Sequence, residues 1–247
     1  MDSPRISRRR LLTTGVVASV VVPAASAAVF SGAMPWQEGA ADAPPEAFRR
    51  MRGAPGFFTA DESAFVTAAV ARLIPEDELG PGAVQAGVPD FIDRQLAGDY
   101  GQATRWYMQG PWATGEATQG YQSRMTPAAL YRAAIREIDA AVGKAHNGTL
   151  FNKLAAADQD SWLQRLEKGE VRLPTIDTKT FFTMLLQNTK EGFWSDPIYG
   201  GNRDMVGWKL IGFPGARYDH RDFVLRHGEP YPLPPVGISG RPDWKKG

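Results

Sequence analysis

Cysteine is absent from the 247-residue sequence, and histidine occurs only three times. Without a thiol, the chain can form no disulfide, ligate no iron–sulfur cluster and attach no haem covalently. His146, His220 and His227 also lack the short spacings that zinc sites use. We therefore expect this chain to bind no metal and no cofactor of its own.

The sequence also has no large excess of positive or negative charge. The 28 Lys and Arg residues nearly balance the 27 Asp and Glu residues, which leaves a net charge of +1 at pH 7. Such a balance provides no bulk electrostatic attraction to nucleic acid, so we expect no nucleic-acid partner.

Signatures of an independent active site are also absent. The sequence contains no Gly-x-Ser-x-Gly elbow, no phosphate-binding loop and no Gly-x-Gly-x-x-Gly fingerprint. Asp219 and His220 could orient a nucleophile, but no elbow completes the pair. We expect no catalytic residue in this chain, and a stand-alone periplasmic enzyme that uses loop Asp and His side chains stays an alternative.

The N-terminus has the layout of an export signal. Arg8 and Arg9 precede an uncharged run over residues 11–30, which contains Pro23 and is rich in small residues at 24–28. The twin arginine indicates the Tat pathway, with residues 1–27 as the signal and a periplasmic destination. A retained transmembrane anchor is the alternative, because the run is long enough to span a bilayer. Since Tat exports folded proteins, the chain either folds before export or escorts a cofactor-bearing partner.

Helical patterns dominate the rest of the chain. Residues 28–56, rich in Ala, Pro and Gly, predict a linker or extended arm, residues 57–229 a helical domain, and residues 230–247 a Pro-rich tail. The predicted fold is mainly α, a compact core of about five helices with long ordered loops rich in Gly, Pro and aromatic residues, and with extended termini. The five helices are predicted from capping residues and apolar spacing: one after a Thr59–Glu62 capping box, one at about residues 89–96, and three opened by Thr126, Asp158 and Asp177.

Residues 191–214 combine five glycines, two prolines and two tryptophans. The glycines and prolines require particular backbone shapes, while aromatic and Arg side chains are typical of interface hot spots. This pattern predicts a partner interface, and the alternative is that the aromatics fill the protein's own core. The predicted interface residues are Phe193, Trp194, Asp196, Tyr199, Asn202, Arg203, Trp208 and Phe213.

Residues 98–124 form a second aromatic and polar stretch without helical periodicity. Trp106, Tyr107, Trp112 and Tyr121 stand among Gly, Gln and Thr residues. Aromatic faces suit sugar rings, so the stretch is either a sugar-stacking loop or a loop that packs on the core or on a partner.

The run from residue 190 to residue 216, with Asp-Pro-Ile-Tyr-Gly-Gly-Asn at 196–202, closely resembles the gluconate 2-dehydrogenase subunit 3 family. Residues 73–96 and 177–191 also resemble that family, and the resemblance covers roughly residues 59–216. It implies the small subunit of a heterotrimeric, inner-membrane-associated sugar or sugar-acid dehydrogenase.

That resemblance also implies the partners. A large subunit would carry FAD and oxidise the substrate, and a multihaem cytochrome c subunit with haem c would pass electrons to quinone. The small subunit would bind no cofactor, stabilise the flavoprotein and provide its Tat signal to the translocase. Related fructose, sorbitol or 2-ketogluconate dehydrogenases are alternatives, as is a stand-alone periplasmic sugar-binding protein.

Overall fold

The computed structural model describes residues 56–238 except Thr114 and Tyr218. The predicted export signal with Arg8 and Arg9, the linker up to residue 55 and the end of the tail from residue 239 lie outside the described residues. The described residues form six α-helices: α1 (Ala60–Leu73), α2 (Val88–Ala97), α3 (Pro127–Ala145), α4 (Ala156–Lys168), α5 (Thr178–Trp194) and α6 (Val206–Ile211).

The predicted mainly α class is confirmed. Across the described ranges the chain forms no β-strand, and β pairing is limited to two isolated bridges, Asp77 with Gly80 and Gly215 with Val236. In the same part of the chain, no helix combines the length and hydropathy needed to span a bilayer.

Local capping explains where three helices begin. At α1 the Thr59 hydroxyl accepts from the Glu62 amide at 3.3 Å, and the Glu62 carboxylate accepts from the Thr59 amide at 2.8 Å. Thr126 and Asp177 likewise accept from backbone amides in the first turns of α3 and α5. Each cap satisfies an amide that has no partner within its helix, so these three starts were predictable from sequence.

Two helix boundaries differ from the prediction. Asp158 does not cap α4, because the helix begins earlier, after Ala155 as the N-cap, and Asp158 lies in the first turn. There its carboxylate still faces the positive end of the helix dipole. Helix α5 runs on through Gly192 to Trp194, so the first four residues of the 191–214 segment are helical, and α6 is a sixth helix inside that segment.

Helices α1 and α5 occupy the centre of the core. Each packs against the other and against α2, α3 and α4. On α1 the buried side chains are Phe65, Val66, Ala69, Val70 and Leu73, which recur at helical spacing. Burying one large apolar side chain of this kind contributes about 1.5–3 kcal/mol, so this stripe holds α1 inside the bundle.

A chain of hydrogen bonds links the core to the loop after α2. The Asn188 amide on α5 donates to the Tyr131 hydroxyl at 3.0 Å and accepts from the Tyr100 hydroxyl at 2.9 Å. Burial raises the pKa of Tyr100 to about 12 and raises the pKa of Tyr131 well above its ordinary value. Both phenols therefore stay protonated at neutral pH, and Asn188 holds Tyr100 in place.

Replacing Asn188 with leucine is expected to lower the free energy of unfolding by about 2–3 kcal/mol, because both phenols lose their partner and Tyr131 is fully buried. Urea denaturation of the purified chain measures the change. Gln187→Leu, at the neighbouring exposed position, is the control and should change stability by no more than about 0.5 kcal/mol. Equal stability of the two variants would contradict a role for the hydrogen-bond chain.

Candidate interaction surface

After α5 the backbone turns back and lies directly against the last turn of that helix. A Cβ atom on Gly201 would lie 2.1 Å from the Gly192 carbonyl oxygen, and one on Gly207 would lie 2.2 Å from the Phe193 carbonyl oxygen. Both neighbours are backbone atoms that cannot move aside alone. Glycine at 201 and 207 is therefore required by close approach, and residues 195–214 form a segment seated on α5.

Asn202 is the internal brace of this seated segment. Its side chain is fully buried, donates to the Ser195 carbonyl at 2.9 Å and accepts from the Gly207 amide at 2.8 Å. Its φ is 44°, and Asp204 and Met205 are also left-handed, with φ of 56° and 54°. Non-glycine residues seldom adopt that region, so the contacts around the segment determine its path.

Asp196 joins the seated segment to the C-terminal tail. Its buried carboxylate accepts from the Ile198 amide at 2.9 Å and from the Ile238 amide at 2.6 Å. Nearby, Val236 is fully buried and pairs with the backbone of Gly215. The domain boundary at residue 229 stays a prediction, and the described part of the tail lies against the seated segment.

Arg203 and Trp208 attach the segment to two helices. The Arg203 amide donates to the Ala86 carbonyl at 2.9 Å, and its guanidinium lies 3.0 Å from the Asp90 carboxylate on α2. The Trp208 indole N–H donates to the Trp194 carbonyl at 2.7 Å. Because that ion pair is about half exposed at both side chains, the backbone and indole bonds provide most of the attachment.

The residues predicted as an interface divide into two groups. Four are buried within the chain's own fold, and these shape the segment: Phe193, Asp196, Asn202 and Trp208. Four remain at least partly accessible: Trp194, Tyr199, Arg203 and Phe213. Their contact with a partner stays a prediction. The alternative from the sequence, that some of these aromatics fill the core, holds for Phe193 and Trp208.

Exposed apolar side chains concentrate in the C-terminal part of the chain. We call the following seven residues the C-terminal apolar set: Tyr199, Ile211, Phe213, Val224, Leu225, Leu233 and Ile238. Leu225 is 88% exposed and Val224 is 61% exposed. Elsewhere among the described residues, the exposed large apolar side chains are Leu79, Trp106, Tyr107 and Leu150.

Sequence reasoning missed five members of this set: Ile211, Val224, Leu225, Leu233 and Ile238. A signal was present, because Val224 and Leu225 belong to a short apolar run between Asp222 and Arg226 that shows no helical periodicity. In the structure the 221–231 backbone turns so that the tilted Phe223 and Tyr231 rings pack with their centroids 4.7 Å apart, and Val224 and Leu225 stay exposed.

Two of the three histidines make local contacts with aromatic side chains. His146 Nε2 accepts from the Trp162 indole at 3.1 Å, and the His220 ring lies 5.8 Å from the Tyr231 ring. Arg221 engages the Asp219 carboxylate at 2.6 Å and lowers the pKa of Asp219 to about 2. Asp219 therefore pairs with Arg221 and does not orient His220. No cluster of three potential metal ligands occurs in residues 56–238, Thr114 and Tyr218 aside.

A comparison with family models matches residues 60–215 to the model described as gluconate 2-dehydrogenase subunit 3. The matched range contains all six helices and the whole seated segment, and it ends before Val224, Leu225, Leu233 and Ile238 of the C-terminal apolar set. No curated protein and no solved structure matches the chain.

Proposed function

Since the chain belongs to the gluconate 2-dehydrogenase subunit 3 family, we propose that it is the non-catalytic small subunit of a periplasmic, membrane-associated dehydrogenase complex of the gluconate 2-dehydrogenase type. In this proposal FAD belongs to the large subunit and haem c to a cytochrome subunit, which together make a heterotrimer. The small subunit stabilises the flavoprotein and provides the Tat signal for its export.

The observation that carries the proposal is the C-terminal apolar set. Single exposed apolar residues are ordinary on a protein surface, whereas contiguous exposed apolar area indicates a binding site. Here seven of the exposed large apolar residues lie between positions 199 and 238, and Val224 and Leu225 are adjacent. An assembly partner that covers them would remove this apolar area from water, which is the main driving force of stable association.

The rigidity of the seated segment supports the same function. Close glycine contacts, the buried Asn202 and the Asp196 bonds hold Tyr199 and Phe213 at determined positions before any partner arrives. A preorganised aromatic surface loses little conformational entropy on binding. The segment therefore suits a permanent subunit contact.

Export of the flavoprotein tests the proposal. We expect periplasmic dehydrogenase activity to fall to background when the large subunit is expressed without this chain, or with an Arg8→Lys, Arg9→Lys variant, because a folded flavoprotein would have no Tat signal of its own. The measurement is dye-linked dehydrogenase activity in periplasmic and cytoplasmic fractions.

Arg5→Lys is the matched control, because it changes a neighbouring arginine outside the twin pair and should leave export unchanged. Normal periplasmic activity in the absence of this chain would refute the export role. Dehydrogenase activity that stays in the cytoplasm, both without this chain and with the Arg8→Lys, Arg9→Lys variant, would support a role in export. Activity without this chain would also mean that the chain does not catalyse the reaction.

A further inference from the structure

A large cleft lies between helix α5 and the loop over residues 98–125. Its volume is about 1200 Å³, above the roughly 300–1,000 Å³ that small-molecule sites usually occupy. No residue of the seated segment or of the C-terminal apolar set borders this cleft, so the proposed assembly surface does not account for it. We call the aromatic side chains that the loop contributes to the lining the aromatic wall, and the polar side chains that α5 contributes the polar wall.

The aromatic wall is a row of three rings. Trp106 packs edge to face between Tyr100 at 5.7 Å and Tyr121 at 5.4 Å, and 37% of Trp106 stays exposed. Trp112 also borders the cleft. Tyr100 is held by Asn188 and Tyr121 by its bond to the Met125 carbonyl, so the row is supported on both sides.

The polar wall is one face of helix α5. Thr180, Thr183, Gln187 and Glu191 border the cleft at spacings of three and four residues, which places them along one stripe. The Gln187 amide donates to Glu191 at 2.9 Å and keeps its own oxygen and a second N–H for other partners. Thr183 makes no side-chain hydrogen bond to any residue that the structure describes.

The charge in the cleft is mixed and slightly negative. Glu116, Asp177 and Glu191 provide three carboxylates, against two cations from Arg124 and Lys179, for a balance of 2 − 3 = −1. An anionic ligand gains nothing from this balance. A ligand with many hydroxyl groups finds both donors and acceptors on α5, and its weakly positive C–H face suits the negative face of an aromatic ring.

We propose that this cleft binds a neutral sugar of one or two hexose rings, stacked on Trp106 and hydrogen-bonded to Thr183 and Gln187. The aromatic wall contacts the ring face, and the α5 stripe contacts the hydroxyls. The site is independent of the subunit role, because it needs only residues of this chain. An experiment can therefore refute sugar binding without refuting subunit assembly, and the reverse also holds.

Calorimetric titration of the purified full-length chain with cellobiose and with glucose tests the site. We expect millimolar binding of cellobiose. Trp106→Ala should weaken it by at least about tenfold, because the central stacking surface is lost. Gln187→Leu removes a hydrogen-bonding group from the polar wall and should weaken the binding of cellobiose as well. Circular dichroism verifies that each variant is folded, and Gln187→Leu keeps the test valid if Trp106→Ala does not fold.

Tyr107→Ala is the matched control, because Tyr107 belongs to the same loop, is 81% exposed and does not border the cleft; its affinity for cellobiose should be unchanged. Titration with gluconate tests the charge argument, and gluconate should bind more weakly than cellobiose. The proposal is overturned if neither neutral sugar binds, if folded Trp106→Ala or Gln187→Leu binds like the unaltered chain, if Tyr107→Ala loses affinity to the same degree, or if gluconate binds as tightly as cellobiose.

Discussion

Replacing both Val224 and Leu225 with aspartate is expected to abolish stable association with the flavoprotein large subunit. These two side chains are the most exposed members of the C-terminal apolar set. In an assembled complex the new carboxylates would be buried without partners, which is far more costly than losing apolar contact alone. We expect affinity to fall by at least about a hundredfold, which corresponds to roughly 3 kcal/mol.

Co-purification of the tagged chain with the large subunit, followed by surface plasmon resonance, measures this loss. The isolated double variant should fold normally, because both side chains already lie in water, and its thermal unfolding midpoint checks this. Leu79→Asp is the matched control. Leu79 is 51% exposed in the turn between α1 and α2, outside the C-terminal apolar set, so assembly should be unaffected. Normal assembly of the double variant would refute the assigned surface.

Gly201→Ala is expected to destabilise the folded chain itself strongly. The added methyl group would lie 2.1 Å from the Gly192 carbonyl oxygen, and both atoms belong to backbones held by other contacts. The seated segment would have to leave α5, which breaks the hydrogen bond from the Trp208 indole to the Trp194 carbonyl. We expect a loss of about 3 kcal/mol in the free energy of unfolding, measured by urea denaturation.

Gly143→Ala makes the same chemical change with the opposite expected sign. Gly143 lies inside α3, and an added Cβ would meet its nearest neighbour at an ordinary 3.7 Å. Alanine has the higher helix propensity, so stability should rise by up to about 1 kcal/mol. If the two variants shift stability in the same direction, the close approach of the segment to α5 is not what requires glycine at position 201.

The helix starts show which part of the fold local sequence determines. Thr59, Thr126 and Asp177 cap amides only three residues away, so the cap and its partner are read together in one short window. Asp158 fits the same sequence pattern, but the prediction that it is the N-cap of α4 was wrong. A carboxylate is also favourable within the first turn of a helix, and Asp158 lies there. Local chemistry thus predicts that a helix begins nearby more reliably than it predicts the capping residue.

The end of α5 shows what local sequence cannot determine. Gly192 is unfavourable inside a helix, and the following glycines and prolines indicate irregular backbone. In the fold, a Cβ at Gly192 would lie 2.8 Å from the Phe91 ring on α2. Helices α2 and α5 can therefore pack this closely only because residue 192 has no side chain. That contact joins residues about 100 positions apart, and no local pattern predicts it. Helix α6, with six residues, is also too short for periodicity to show.

The sequence alone determined the mainly α class and most helix starts. It also showed the family resemblance, which the family match bears out, and an aromatic, glycine-rich segment of unusual composition. Tat export, the FAD and haem partners and the periplasmic location stay predictions. Only the tertiary structure decided which aromatics are buried, because Phe193 and Trp208 have the same chemistry as the exposed Tyr199 and Phe213 and differ only in long-range contacts. Burial is set by what packs against a residue, and around the α5 cleft those neighbours come from distant parts of the chain.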